Sequence, residues 1–316
     1  MEQIIGHNSH RYTIDKNWGI QHPAKYPVND CHEMVMDSKG RLFMLTNDTR
    51  NNILIYDKSG KITASWGTTY PGAHGLSICN ENGTEFLFIT DTDRQQVFKT
   101  TLDGEEVMVM SVPKEIKEYT SGEQFKPTET AVAPDGDIYV TDGYGLQFVI
   151  QYNSKGEYIR HWGGLGNGDE QFDCVHGIAI DNRNPDAVSL IITSRNHNAL
   201  KHFTLDGKYL STTKLPGSFI CRPVVHGENI YGAVFRSEMN TLNNSGYITI
   251  LDKNNKVIST PGGTEPVYTN GVLQLQKKAD HTFLHPHDVC VDDEENIYVP
   301  QWNSGKTYPV KLTRIK

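Results

Sequence analysis

The 316-residue chain has no apolar run approaching the roughly 18 residues that span a bilayer, so no membrane-crossing segment is expected. It also has no cluster of Lys and Arg. With 38 acidic against 30 basic side chains the formal charge is −8, which excludes a binder of nucleic-acid phosphates. Cysteines are few: five, at 31, 79, 174, 221 and 290, with no CxxC pair. An odd, scattered set excludes a disulfide framework and a zinc ribbon, and buried thiols are the expectation. The opening MEQIIGHNSHRYTIDKNWG lacks the basic and apolar regions of a secretory signal, so a cytoplasmic location is expected. Helical periodicity is scarce, and PKEIKEYTSGEQF at 113–125 is the one stretch that reads as a short helix.

What the chain does have is repetition. HRYTIDKNWG (10–19), KITASWG (61–67) and GEYIRHWG (156–163) end alike, and Trp18, Trp66 and Trp162 stand 48 and 96 residues apart. A second phrase alternates hydrophobic and polar residues before a turn: CHEMVMDSKG, AHGLSICNENG, PTETAVAPDG, VHGIAIDNRN and PHDVCVDDEEN. Period-two alternation followed by Asp, Asn and Gly reads as a half-buried strand and a hairpin turn. Each unit then continues through further strands, as in NILIYD or ALKHFTLDG. Four antiparallel strands per 40 to 50 residues predict a propeller blade. Six units open near 31, 73, 127, 175, 221 and 286, predicting an all-β, six-bladed propeller over residues 1–316 as one domain. The sixth unit lacks a fourth strand, and HRYTIDKNWG is expected to supply it and close the ring.

Four of the thirteen histidines share one repeat position: His32, His74, His176 and His287 precede the first strands of units 1, 2, 4 and 6. First strands are innermost in a propeller, so these imidazoles are expected at the channel mouth. Alternate blades stand about 120° apart, so His74, His176 and His287 could present three nitrogens to one point, the layout of a catalytic zinc site. The alternative is that each satisfies a hydrogen bond at its blade opening. Unit 3 puts Thr128 and Glu129 at this position, and unit 5 puts either Cys221 or Arg222 there. An Arg222 facing the channel would suit a substrate carboxylate, although a rim salt bridge is equally open.

AHGLSI (73–78), FKPTETAVAPDGDIYVTDGY (125–144), QFDCVHGIAIDN (171–182) with ITSRN (192–196), and HPHDVCVDDEENIYV (285–299) resemble the peptidylglycine alpha-hydroxyglycine alpha-amidating lyases. Those are six-bladed propellers related to NHL repeats. The resemblance implies that His74, His176 and His287 bind zinc, that Tyr144 is the catalytic base, and that Arg195 stands beside it. It further implies a structural calcium held by Asp288 with backbone carbonyls near Leu76. The implied reaction opens a carbinolamide, N–CH(OH)–R, to an amide and an aldehyde, without a redox cofactor.

Departures from the family's pattern point to a different small-molecule substrate. The first-blade arginine that would bind a substrate carboxylate is displaced to Arg50 in LFMLTNDTRNN, and Gly145 stands where a cysteine is expected. His285 replaces a methionine and His32 is an added imidazole, so His32, Arg50, Glu129 and His285 are candidate pocket residues. Tyr144 could instead pack between blades, Arg195 could pair with Asp142 or another acid between blades, and Asp288 could cap a turn. Competing functions are a metal-dependent lactonase of the gluconolactonase type, whose ligands are mainly Glu, Asn and Asp, and a non-catalytic NHL scaffold. Specificity is expected in the loops 113–125, 236–246 and 262–285, and no partner protein is predicted.

Overall fold

A computed structural model describes residues 3–239 and 245–316. Residues 240–244, inside the expected specificity loop 236–246, lie outside the described residues. Six antiparallel sheets form the blades of a six-bladed propeller. Blade 1 comprises Cys31–Met36, Leu42–Thr46, Ile53–Tyr56 and Ile62–Trp66. Blade 2 runs from Ala73–Glu81 to Glu106–Met110, and blade 3 from Glu129–Val132 to Tyr158–Gly163. Val175–Asp181 opens blade 4 and Phe219–His226 opens blade 5. Blade 6 is built on Cys290–Val291, Ile297–Val299 and Val310–Ile315.

Its fourth strand is His10–Asp15, which pairs antiparallel with Val310–Ile315 in the register Arg11 to Ile315 and Asp15 to Lys311. This is the expected closure. Ile4–His7 adds a fifth strand outside it, paired Ile4 to Thr13. The two ends of the chain thus cover each other's edges.

Burial explains the composition of each strand. Inner strands lie between neighbouring blades and are apolar on both faces: Leu42–Thr46 and Ile53–Tyr56 are buried throughout, whereas the outer Ile62–Trp66 is mostly exposed. Six apolar clusters fill the six gaps between blades, from Phe43, Leu45 and Leu87 between blades 1 and 2 round to Met34, Leu54 and Tyr298 between blades 6 and 1.

The recurring phrases have a physical cause as well. Trp66 at the end of blade 1 donates to the Leu102 carbonyl (3.0 Å) and lies over the turn of blade 2, where Gly104 has φ of +91°. A Cβ there would come within 2.6 Å of the indole, so each tryptophan needs a glycine on the next blade. The contact recurs for Trp18 with Gly60 and Trp162 with Gly207.

One expectation is corrected. Residues 113–125 form turns and a single 3-10 turn, Gly122–Gln124, rather than a helix. The apolar spacing there reflects Ile116 and Tyr119 packing into the cluster between blades 2 and 3.

Candidate metal centre

At or near the start of each first strand one residue contributes to a common layer: His32, His74, Thr128, His176, Cys221 and His287. All six are buried. The rings of His74, His176 and His287 stand 4.8 to 5.0 Å apart between centroids, and His32 lies 4.9 Å from His74 and 4.8 Å from His287. The even blades follow one rule. His74 Nδ1 donates to the Thr128 carbonyl (2.9 Å), His176 Nδ1 to that of Cys221 (3.2 Å), and His287 Nδ1 to that of His32 (3.1 Å). Each acceptor belongs to the next blade at the equivalent position, which settles that Cys221, not Arg222, occupies the histidine position of blade 5.

Glycine makes that approach possible. A Cβ on Gly75 would lie 2.4 Å from the Thr128 carbonyl oxygen, and one on Gly177 would lie 2.4 Å from that of Cys221. The HG phrase is therefore an imidazole followed by the gap that lets the neighbouring carbonyl orient it.

A carbonyl only accepts, so the three Nδ1 atoms carry the protons and the three Nε2 atoms keep their lone pairs. Burial, reinforced by neighbouring cationic groups, drives all three imidazoles well below their ordinary pKa, and burial takes His32 down to about 4. His32 Nδ1 has no hydrogen-bond partner. Donor atoms of His32, His74 and His287 lie within 4.8 Å of one another, as do those of His176, Cys221 and His287. His287 therefore joins two donor groups, but the expected triad is not itself one of them: His74 falls in the first group and His176 in the second.

Tyr144 closes the mouth. Although 43% of the residue is exposed, its hydroxyl points inward, 3.2 Å from His74 Nε2 and 3.0 Å from His176 Nε2. A single O–H can donate to only one of the two lone pairs at a time, so the arrangement leaves an electron-rich site unsatisfied. Arg195 Nη1 stands 3.4 Å from the same hydroxyl, and its guanidinium lies over the rings of Phe235 (4.7 Å) and Tyr144 (5.5 Å). Burial pushes the Tyr144 phenol up to about 12, while Arg195 pulls it down. The alternative pairing of Arg195 with Asp142 does not occur: Asp142 accepts from Tyr119 (2.5 Å), Lys126 N and Leu146 N (both 2.6 Å). A cavity of about 320 Å³ opens beside this group, lined by His32, Asn47, His74, Thr92, Tyr144 and Trp302 among others.

One residue further along the strands, a second layer contains Glu33, Gly75, Glu129, Gly177, Arg222 and Asp288. Here the structure departs from expectation. Arg222 does not face substrate: its Nη1 donates to the Leu76 carbonyl (2.6 Å) and Glu33 (3.1 Å) and lies 3.4 Å from Glu129, while Nε pairs with Asp288 at 3.0 Å. Asp288 and the Leu76 carbonyl, the oxygens expected to hold calcium, are thus engaged by a guanidinium. A calcium ion does not fit this site while Arg222 fills it.

Glu129 belongs to the same cluster and not to the cavity. Arg50 is also not a cavity residue, since its side chain is 65% exposed and clamped by Asp48 through Nε (2.9 Å) and Nη2 (2.5 Å). His285 packs edge-on against Trp302, 6.0 Å between centroids, with Nδ1 3.1 Å from the Asn303 carbonyl.

A family model described as 6-bladed beta-propeller matches residues 128–299. The chain belongs to that family. Peptidylglycine alpha-amidating monooxygenase of Rattus norvegicus is 23% identical over 277 residues, covering 83% of this chain and 25% of that protein. Peptidyl-alpha-hydroxyglycine alpha-amidating lyase 1 of Drosophila melanogaster is 34% identical over 107 residues, 33% of this chain and 19% of that protein. The chain thus spans a quarter or less of the length of these two relatives. Among solved structures, a streptogramin B lyase has a TM-score of 0.62 at 13% identity, covering 96% of this chain and 97% of that one. A gluconolactonase from Xanthomonas campestris has a TM-score of 0.63 at 12% identity, covering 99% and 95%. At such identities these two share the fold.

The propeller's upper layer fits a metal ion by its own chemistry: neutral imidazoles, fixed by carbonyls behind them, with lone pairs converging in a buried cluster. Sequence reasoning missed Arg236. Its guanidinium lies over Phe235 (4.9 Å) and Phe219 (4.7 Å), burial and then the Arg195 charge hold it below its ordinary pKa, and both arginines bury an Nε with no hydrogen-bond partner. Cys221 as a sulfur donor and Trp302 as a cavity wall were also missed. Blade 5 matched the repeat poorly, and nothing in its spacing marks which side chains turn inward. No helix among the described residues is long and apolar enough to cross a membrane.

Proposed function

We propose that this chain, acting as one propeller domain, is a zinc-dependent lyase that opens a small carbinolamide carrying an anionic group. The observation that carries the reading is the pair of Nε2 lone pairs on His74 and His176 facing one tyrosine hydroxyl, with Arg195 behind it. His74, His176 and His287 would hold the metal through Nε2, with His32 and Cys221 adjoining. When bound, such an ion supplies Lewis acidity, which makes a neighbouring hydroxyl easier to deprotonate.

The protein's own groups supply the rest. Tyr144 Oη takes the proton of the substrate hydroxyl; the carbon–oxygen bond becomes a carbonyl as the carbon–nitrogen bond breaks, and the departing nitrogen receives a proton back from Tyr144. Atoms and electrons balance without an oxidant. Arg195 opposes the upward push of burial on the phenol. Together with Arg236 it puts positive charge near the Tyr144 hydroxyl, which would favour an anionic substrate; Arg50, 65% exposed and held by Asp48, is not placed for that role.

The test is aldehyde production from an N-acyl-α-hydroxyglycine, followed as a hydrazone. Tyr144→Phe should lower turnover by about 100- to 10,000-fold, the usual contribution of a general base, with bound metal retained. Undiminished turnover would remove Tyr144 as the base. Lactone opening by the wild type, without carbon–nitrogen cleavage, would replace the lyase reading with the hydrolase one.

A further inference from the structure

Below the imidazoles, oxygens from four blades converge on one buried point. Blade 1 contributes Glu33 and the Met34 carbonyl, blade 2 the Leu76 carbonyl, blade 3 Glu129 and blade 6 Asp288. Carboxylates are 1% or less exposed at all three positions, and a buried carboxylate costs several kcal/mol unless a cation compensates it. Carboxylate and carbonyl oxygens arranged around one point are the donor set of a hard divalent ion. Blade 5 answers them with Arg222, itself only 8% exposed. Blade 4 makes room: Gly177 has no side chain, and a Cβ there would lie 2.7 Å from the Arg222 Cα.

We propose that the Arg222 guanidinium is a built-in substitute for a divalent cation, pinning blades 1, 2, 3 and 6 to blade 5 so that the propeller needs no structural calcium. A planar fork with five donors can address several blades at once, as a multidentate ion does. The ion-pair contact to Asp288 and the donation to Leu76 use the oxygens a calcium would take, so the two cations are mutually exclusive. This holds whether or not the upper layer carries a metal.

Thermal unfolding of the whole chain, with millimolar calcium or with chelator at equal ionic strength, tests the proposal. Wild type should melt at the same temperature in both, and a loss of stability in a calcium-selective chelator would overturn the proposal. Arg222→Ala should melt about 5–10 °C lower in chelator. Calcium should bind this variant by calorimetry and recover several degrees, since a ligand at about 100 times its Kd stabilises by a few kcal/mol. A folded variant that ignores calcium would show that the oxygens are not a cation cradle. Arg222→Lys, which keeps the charge, should fold with a smaller loss and no calcium response; a loss as large as that of Arg222→Ala would contradict the charge-substitution account.

Discussion

His74, His176 and His287 spend one ring nitrogen on a neighbouring carbonyl and keep the other, whereas Glu33, Glu129, Arg222 and Asp288, in the next layer along the same strands, spend their charges on one another. Both layers are buried, polar and drawn from first strands, so burial and residue type do not separate them. What separates them is whether the chain supplies the cation. The upper layer retains lone pairs for a partner from outside the chain. In the lower layer the chain supplies its own cation. A candidate metal site and an internally paired charge cluster thus stand a single residue apart, and the source of the cation tells them apart.

That contrast can be broken from the lower side first. Arg222→Ala should cost about 3–5 kcal/mol in denaturant unfolding, the penalty for leaving buried charges without their partner, while the metal stoichiometry of the upper layer stays unchanged. Gly177→Ala strikes both layers, because its Cβ would press on the Cys221 carbonyl oxygen at 2.4 Å and on Arg222. A loss of about 1–3 kcal/mol is expected, together with weaker metal retention as the His176 ring loses its acceptor. Arg50→Ala sharpens the contrast from outside: an exposed pair with Asp48 should be worth less than about 1 kcal/mol, with no change in KM for an anionic substrate. A clear rise in KM would return the carboxylate anchor to blade 1.

Much of the fold was legible because its causes are local and periodic. The alternating first strands, the indole over the next blade's glycine, and the missing fourth strand of unit 6 all announce themselves within a few residues. The position of His74, His176 and His287 was legible for the same reason, since the repeat places them and the glycine after two of them marks a close approach. Arg222 was not, because its partners at positions 33, 76, 129 and 288 lie in other blades and only the closed ring brings them together. Arg236 and Cys221 share that difficulty in a blade whose repeat is weak. Segment 113–125 misled for a different reason: Ile116 and Tyr119 pack into the cluster between blades 2 and 3 from a run of turns, and their three-residue spacing imitates one face of a helix.

The central claim is that the upper layer's unspent nitrogens exist to hold a metal. Elemental analysis of the full chain purified without chelator, beside His176→Ala, tests it most directly. The account predicts about one zinc per wild-type chain, with four-coordinate chemistry centred on imidazole, and its loss in the folded variant. A wild-type protein that stays metal-free after incubation with zinc, or a His176→Ala variant that holds zinc as tightly, would contradict it.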